Sequence, residues 1–108
     1  MVEYAYSLDS VFSCLADPTR RDILRRIGVS ELSIGDIAKP YPLTFAAVSK
    51  HLKVLERARL ISKRRRGKEN MVSLAPQALA DATEYLQWYQ QFMGTRFDSL
   101  EVYLNKEV

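Results

Sequence analysis

Between Thr44 and Asn70 the sequence carries nine Lys or Arg residues against two Glu, a net charge of +7, whereas residues 1–43 sum to −1 and residues 71–108 to −3. The chemistry open to such a segment is neutralisation of a polyanion. Lysine and arginine pair with phosphates and release condensed counterions, which supplies most of the sequence-independent affinity for nucleic acid. A charge run alone reads equally well as a solvated face, so the spacing around it decides. In TFAAVSKHLKVLERARL, residues 44–60, Ala47, Val48, Leu52 and Leu55 recur at three- and four-residue intervals, which leaves Ala46, Ser49, Lys50 and Lys53 on the opposite face. One face packs and the other is open to a groove. The helix runs directly into ISKRRRGK, residues 61–68. A shorter helix and a turn precede it, and two strand-like segments flank the basic tip. That is the pattern of a helix-turn-helix with a wing, in which the second helix enters the major groove and the hairpin reaches the adjacent backbone.

On this arrangement Ser49, Lys50 and Ala46 reach base edges, and Lys53, Arg64, Arg65 and Lys68 lie on phosphates. Thr44 and Phe45, at the helix start, add a backbone hydrogen bond and contact with a thymine methyl, and Arg20 is a further candidate phosphate contact. Other chemistries find no residues to carry them. No Ser-His-Asp set, paired carboxylates or phosphate loop is present, so an enzyme is not expected. A single cysteine, Cys14, excludes an intrachain disulfide, and together with the single histidine, His51, it leaves too few soft ligands for zinc. Neither metal nor cofactor is expected. No cation or second cysteine neighbours Cys14 in sequence, which points to a structural or incidental role. His51 reads as a packing or hydrogen-bonding residue, with phosphate contact the alternative.

The elements that must position these residues follow from periodicity and caps. Leu8, Val11, Phe12, Leu15 and Ala16 mark a first amphipathic helix over residues 8–16, with Cys14 off its stripe. Asp17-Pro18 starts a second helix, which buries Ile23, Leu24 and Ile27, leaves Arg21, Arg25 and Arg26 solvated, and stops at Gly28. Ser33 and Asp36 have the spacing of a capping box before a short third helix that Pro40 and Pro42 end, and Thr44 caps the fourth. Residues 60–65 and 70–74 are strands around a turn at Arg66 to Glu69. Pro76 opens a last helix whose stripe, including Leu79, Ala82, Tyr85, Leu86, Tyr89, Phe92, Met93 and Phe97, is too long for a small core to cover. Part of it is expected to pair with a second chain, through Tyr85, Tyr89, Phe92 and Phe97 with Leu8 and Phe12. The alternative keeps that helix wholly within its own domain.

The 108 residues thus predict one mainly α domain with a small β-hairpin wing, ordered ααααββα and dimeric, with a helix-turn-helix at 33–58, a wing at 60–74 and a dimerisation helix at 77–104. No apolar run approaches the roughly 18 residues of a membrane span, and MVEYAYSLDS lacks the basic and apolar regions of a signal peptide, so a cytoplasmic location is expected.

FSCLADPTRRDILRRI, then LTFAAVSKHLKVLERARLI, then a basic wing resemble the ArsR family of bacterial winged-helix repressors over about residues 8–104. The resemblance implies a homodimer built from the first and last helices that binds a palindromic operator in double-stranded DNA and represses transcription. Metal-sensing members carry a Cys-x-Cys pair in the third helix, and the matching stretch here, Glu31-Leu32-Ser33-Ile34-Gly35-Asp36, has lost both ligands. A second family metal site uses Asp and His on the last helix, which here contains no histidine, with Asp81 and Glu84 as its hard, exposed carboxylates. His51 matches a common family residue that is not a metal ligand. Arg59 stands where the family usually has glycine, and stores strain if the left-handed conformation is kept. A reading of a different class is a protein-interaction module, with the winged helix as scaffold and the aromatic last helix as docking surface. The basic wing argues against it. No small-molecule effector can be assigned from the sequence.

Overall fold

The computed structural model describes the backbone of residues 2–107 and the side chains of residues 8–93. Its elements are α1 (Val2–Leu15), α2 (Pro18–Val29), β1 (Leu32–Ser33), α3 (Ile34–Ala38), α4 (Phe45–Arg57), β2 (Ile61–Arg66), β3 (Glu69–Leu74) and α5 (Pro76–Glu107). Three helices begin where a side-chain oxygen meets the unpaired donors of a first turn. Asp17 accepts from the Arg20 N–H at 2.9 Å, Ser33 from Asp36 at 3.1 Å and Thr44 from Ala47 at 3.1 Å. The expected caps are therefore those used.

Core packing follows the predicted stripe of α4. Val48, Leu52 and Leu55 are fully buried against Ile23, Ile27, Ile37, Leu60 and Val72. In α1 the buried side is rotated from the expected one: Leu8, Val11 and Cys14 face the core, while Phe12 and Ala16 are exposed. The Cys14 thiol donates to the Val54 carbonyl oxygen of α4 at 3.5 Å, and the Phe12 ring turns toward Tyr85 of α5, centroids 6.2 Å apart. Neighbours on two sides thus set the rotation of α1. The helix also starts six residues before the expected position, at Val2.

Two more boundaries differ. α2 passes through Gly28 to Val29 and closes with the Ser30 N–H on the Arg26 carbonyl, so Gly28 is an ordinary helical residue here. The wing is part of a three-stranded antiparallel sheet of order β1-β3-β2, because Leu32 and Ser33 pair with Val72 and Met71. A two-residue strand is too short to show alternation in sequence. The hairpin turn is Gly67-Lys68, between the Arg66↔Glu69 pair, with Gly67 at φ 61° in the first central position, where a two-residue hairpin of the II′ kind takes glycine.

The end of α4 joins this helix to the wing. The Leu60 N–H bonds to the Leu55 carbonyl at 3.1 Å and the Arg59 N–H to Glu56 at 3.0 Å, the two crossed bonds of a Schellman motif, with Leu55 and Leu60 both buried beneath it. That motif requires a left-handed residue, and Arg59 fills it at φ 61°. A residue with a Cβ costs about 1–2 kcal/mol there, and glycine returns roughly half of that gain through its freer unfolded chain. Arg59→Gly is expected to raise stability by about 0.5–1 kcal/mol. Arg59→Ala, which keeps the Cβ, should give no such gain. Urea unfolding of the two variants checks this, and a midpoint for Arg59→Gly at or below that of the parent would show that no strain is stored.

Candidate nucleic-acid interface

Because Val48, Leu52 and Leu55 turn inward, α4 presents Ala46, Lys50 and Lys53 fully outward with Ser49 half-buried beside them. Positions 46, 49, 50 and 53 fall on one side of a helix, so this is a single continuous surface. Phe45 stands at its N-terminal end with 63% of its surface exposed, large for a phenylalanine with no packing partner in the core. The Thr44 hydroxyl accepts the cap bond and keeps its own proton available to an outside acceptor.

The wing sorts its cations by partner. Arg65, Arg66 and Lys68 are exposed and, among the described residues, form no ion pair, as is also true of Lys50 and Lys53 on α4. Arg66 was not among the expected contacts, although its place in the Arg64-Arg65-Arg66 run was the available signal. Lys63 lies 3.5 Å from Glu56, tying β2 back to α4. Arg64, expected on phosphate, is instead held by Glu31: its Nε donates to Oε2 at 2.8 Å and its Nη2 to Oε1 at 2.5 Å. The guanidinium holds the Glu31 carboxyl below the ordinary carboxylate range, so the pair is ionised at neutral pH.

Arg20 also has a different task from the expected phosphate contact. Its Nε donates to the Cys14 carbonyl at 3.0 Å, its Nη2 to the Ser13 carbonyl at 3.2 Å, and its Nη1 lies 3.4 Å from His51 Nδ1. One side chain thereby satisfies the last carbonyls of α1 and braces α4. Where Arg20 donates to Nδ1, the imidazole proton sits on Nε2, so His51 is a hydrogen-bonding residue between helices. Arg26, expected in solvent, does similar work, and Arg21, which stays exposed as expected, adds a bond of the same kind. Arg21 donates to the Leu15 carbonyl at 2.8 Å, and Arg26 donates to Ile37 and Asp36 carbonyls at 2.8 and 2.9 Å while lying over the Tyr41 ring. Tyr41 in turn donates to Asp22 at 2.5 Å, which fixes the turn into α4. Helix-terminal carbonyls explain why these arginines are tethered: they supply acceptors that the sequence does not display.

Cys14 is 2% exposed, and burial pushes its thiol up from the ordinary value against the opposing charge of Arg20, which keeps it protonated. Among the described residues no three His, Cys, Asp or Glu side chains converge as a metal ion would require, and no helix is long and apolar enough to cross a membrane.

A second surface lies on α5. Leu86, Trp88, Tyr89 and Phe92 are exposed, with Trp88 stacked on Phe92 at 5.8 Å and edge-on to Tyr89 at 4.8 Å. Trp88 was not among the expected interface residues, and Phe97 lies outside the described side chains.

A family model described as a helix-turn-helix domain matches residues 15–64. The chain is 42% identical over 74 residues to the HTH-type transcriptional regulator Rv2034 of Mycobacterium tuberculosis, covering 68% of this chain and 69% of that protein. It is 33% identical over 87 residues to the transcriptional repressor SdpR of Bacillus subtilis, covering 81% of this chain and 93% of that protein. Its fold resembles the homodimeric winged helix-turn-helix DNA-binding domain Mb0332 from Mycobacterium bovis with a TM-score of 0.67, at 20% identity over 86% of this chain and 88% of that one.

The cap of α2 carries a pH dependence of defined sign. The Arg20 N–H bond holds the Asp17 carboxyl below its ordinary value, helped by the charge of the Arg20 guanidinium. Its stabilisation is therefore complete above the unfolded value, about pH 3.9, and is lost as the pH falls through the lower folded value. Asp17→Asn keeps an acceptor for the cap but cannot titrate. It is expected to unfold in urea with a shallower acid-side loss of stability than the parent, while Asp17→Ala should lose about 1 kcal/mol at neutral pH. Parallel acid-side curves for Asp17→Asn and parent would remove Asp17 as the titrating group.

Proposed function

The chain belongs to the ArsR family of winged helix-turn-helix transcriptional regulators, and we propose that it acts as a homodimeric repressor that recognises a palindromic operator. The observation that carries this reading is the outward face of α4: a packed stripe of Val48, Leu52 and Leu55 behind, and Lys50 and Lys53 exposed in front without ion-pair partners among the described residues. Regulators of this fold insert that face into the major groove. Lys50, in the first half of α4, donates to guanine N7 or O6, Ser49 makes a single hydrogen bond to a base edge, and Ala46 and Phe45 give apolar contact to thymine methyls. Lys53, Arg65 and Lys68 meet phosphates, as does Arg66, and the Thr44 hydroxyl adds a backbone contact. The repressor named in Bacillus subtilis supports the sign of regulation.

Reading and holding separate by mutation. Lys50→Ala is expected to weaken binding to the operator by about 1–3 kcal/mol and binding to scrambled duplex much less, whereas Arg65→Ala should weaken both alike and lower the salt slope by about one. Ser49→Ala should follow Lys50→Ala with a smaller loss. The operator is obtained by selection from a random duplex library, and affinities are then measured over a series of salt concentrations. Equal losses on both duplexes for Lys50→Ala would make it a phosphate contact and move the reading face elsewhere.

The dimer rests on the exposed aromatic face of α5 together with α1, and the homodimeric domain from Mycobacterium bovis supports it. Phe92 is 67% exposed in the protomer, so Phe92→Asp should leave the fold intact while placing an unpaired carboxylate in the apolar contact. Sedimentation is expected to show a helical monomer. A dimer of unchanged affinity for that variant would place the interface elsewhere.

A further inference from the structure

Glu31 and Arg64 stand on opposite sides of the sheet's central strand. The register pairs Ser33 with Met71 and Met71 with Arg64, so these three residues lie across one face, and Glu31, two positions before Ser33, falls on that face as well. The Arg64 side chain spans β3 and closes on both Glu31 carboxylate oxygens, a two-point match of guanidinium to carboxylate. Glu31 keeps 24% side-chain exposure in this contact and Arg64 keeps 57%. Lys63 also has an acidic partner, Glu56, but through one contact at 3.5 Å; Arg64 is therefore the wing cation whose charge is answered by a fitted anion.

A phosphate would use the same two guanidinium donors in the same geometry. The carboxylate and the DNA backbone are thus alternative ligands of one group, and a cation already matched by a carboxylate releases little counterion when DNA approaches. We propose that Glu31 is a positioning residue that competes with DNA phosphate for Arg64: it withholds that arginine from the backbone and so limits the sequence-independent affinity of the wing. The inference rests on the reading of the wing as a backbone contact. It assigns a cost in affinity to a residue that touches no DNA.

The test is a mutant cycle on the full chain with random-sequence duplex over a series of KCl concentrations. Glu31→Gln keeps the shape and removes the charge. It is expected to raise affinity about threefold or more at low salt and to steepen the salt slope by about one ion. Glu31→Gln combined with Arg64→Ala, which removes both partners, should leave slope and affinity near those of the parent, while Arg64→Ala alone, which leaves the Glu31 carboxylate unanswered on the wing, should lower affinity. Circular dichroism confirms the fold of each variant, and Glu31→Ala serves as a second neutralising change. The proposal is overturned if Glu31→Gln and Glu31→Ala leave affinity unchanged or lower it. A gain over the parent in Glu31→Gln combined with Arg64→Ala would also overturn it, since general charge then accounts for the effect. So would a slope flattened below the parent's in that double variant, which would place Arg64 on phosphate in the parent. A parent chain with no steep salt dependence would instead refute the backbone-contact reading itself, whatever Glu31 does.

Discussion

Burial of Val48, Leu52 and Leu55 is the constraint on which the rest depends. Each removes an aliphatic side chain from water, worth about 1.5–3 kcal/mol, and together they fix the rotation of α4 about its own axis. Once that rotation is fixed, the identity of the outward residues follows without further choice. A turn of one residue, about 100°, would bury Ser49 or Lys53 and expose a leucine. Arg20 and Tyr41 then act on the placement of the helix: Arg20 reaches His51 from the first turn of α2, and Tyr41, anchored on Asp22, holds the entering turn.

The parts that were legible in sequence are those encoded within a few residues. Asp17-Pro18, Ser33 and Thr44 cap helices through bonds that span three positions, and the α4 stripe repeats within one turn. The parts that were not legible join distant segments. Cys14 was placed off the stripe because α1 was read as having one apolar face, while Val54, forty residues on, draws the thiol inward. Arg26 looked solvated because the backbone carbonyls at the end of α3 carry no sequence signature. Glu31 and Arg64 are separated by 33 residues, and only the pairing of β1 with β3 brings them together.

Charge alone is a poor guide to the binding surface. Nine cations crowd residues 44–70, yet the fold divides them into those answered by Glu31 or Glu56 and those left facing solvent, such as Lys50, Lys53 and Lys68. The same division separates the arginines of α2, three of which serve neighbouring helix ends. Formal charge measures how strongly a segment attracts a polyanion at a distance, and pairing within the fold sets which groups stay open to solvent.

The junction at Arg59 has a mechanical consequence. With Leu60 bonded back to α4 and β2 beginning at the next residue, no slack separates the reading helix from the hairpin. β2 extends for six residues, about 20 Å, so the wing is a lever whose fulcrum is the end of α4. A tilt of roughly 10° at that fulcrum carries the tip through about 3.5 Å, more than the whole length of a hydrogen bond. On the proposed function, a fit between α4 and a groove that is slightly wrong in angle would thus be amplified into a missed contact at Lys68, and the backbone grip would become a gauge of how well the helix is seated.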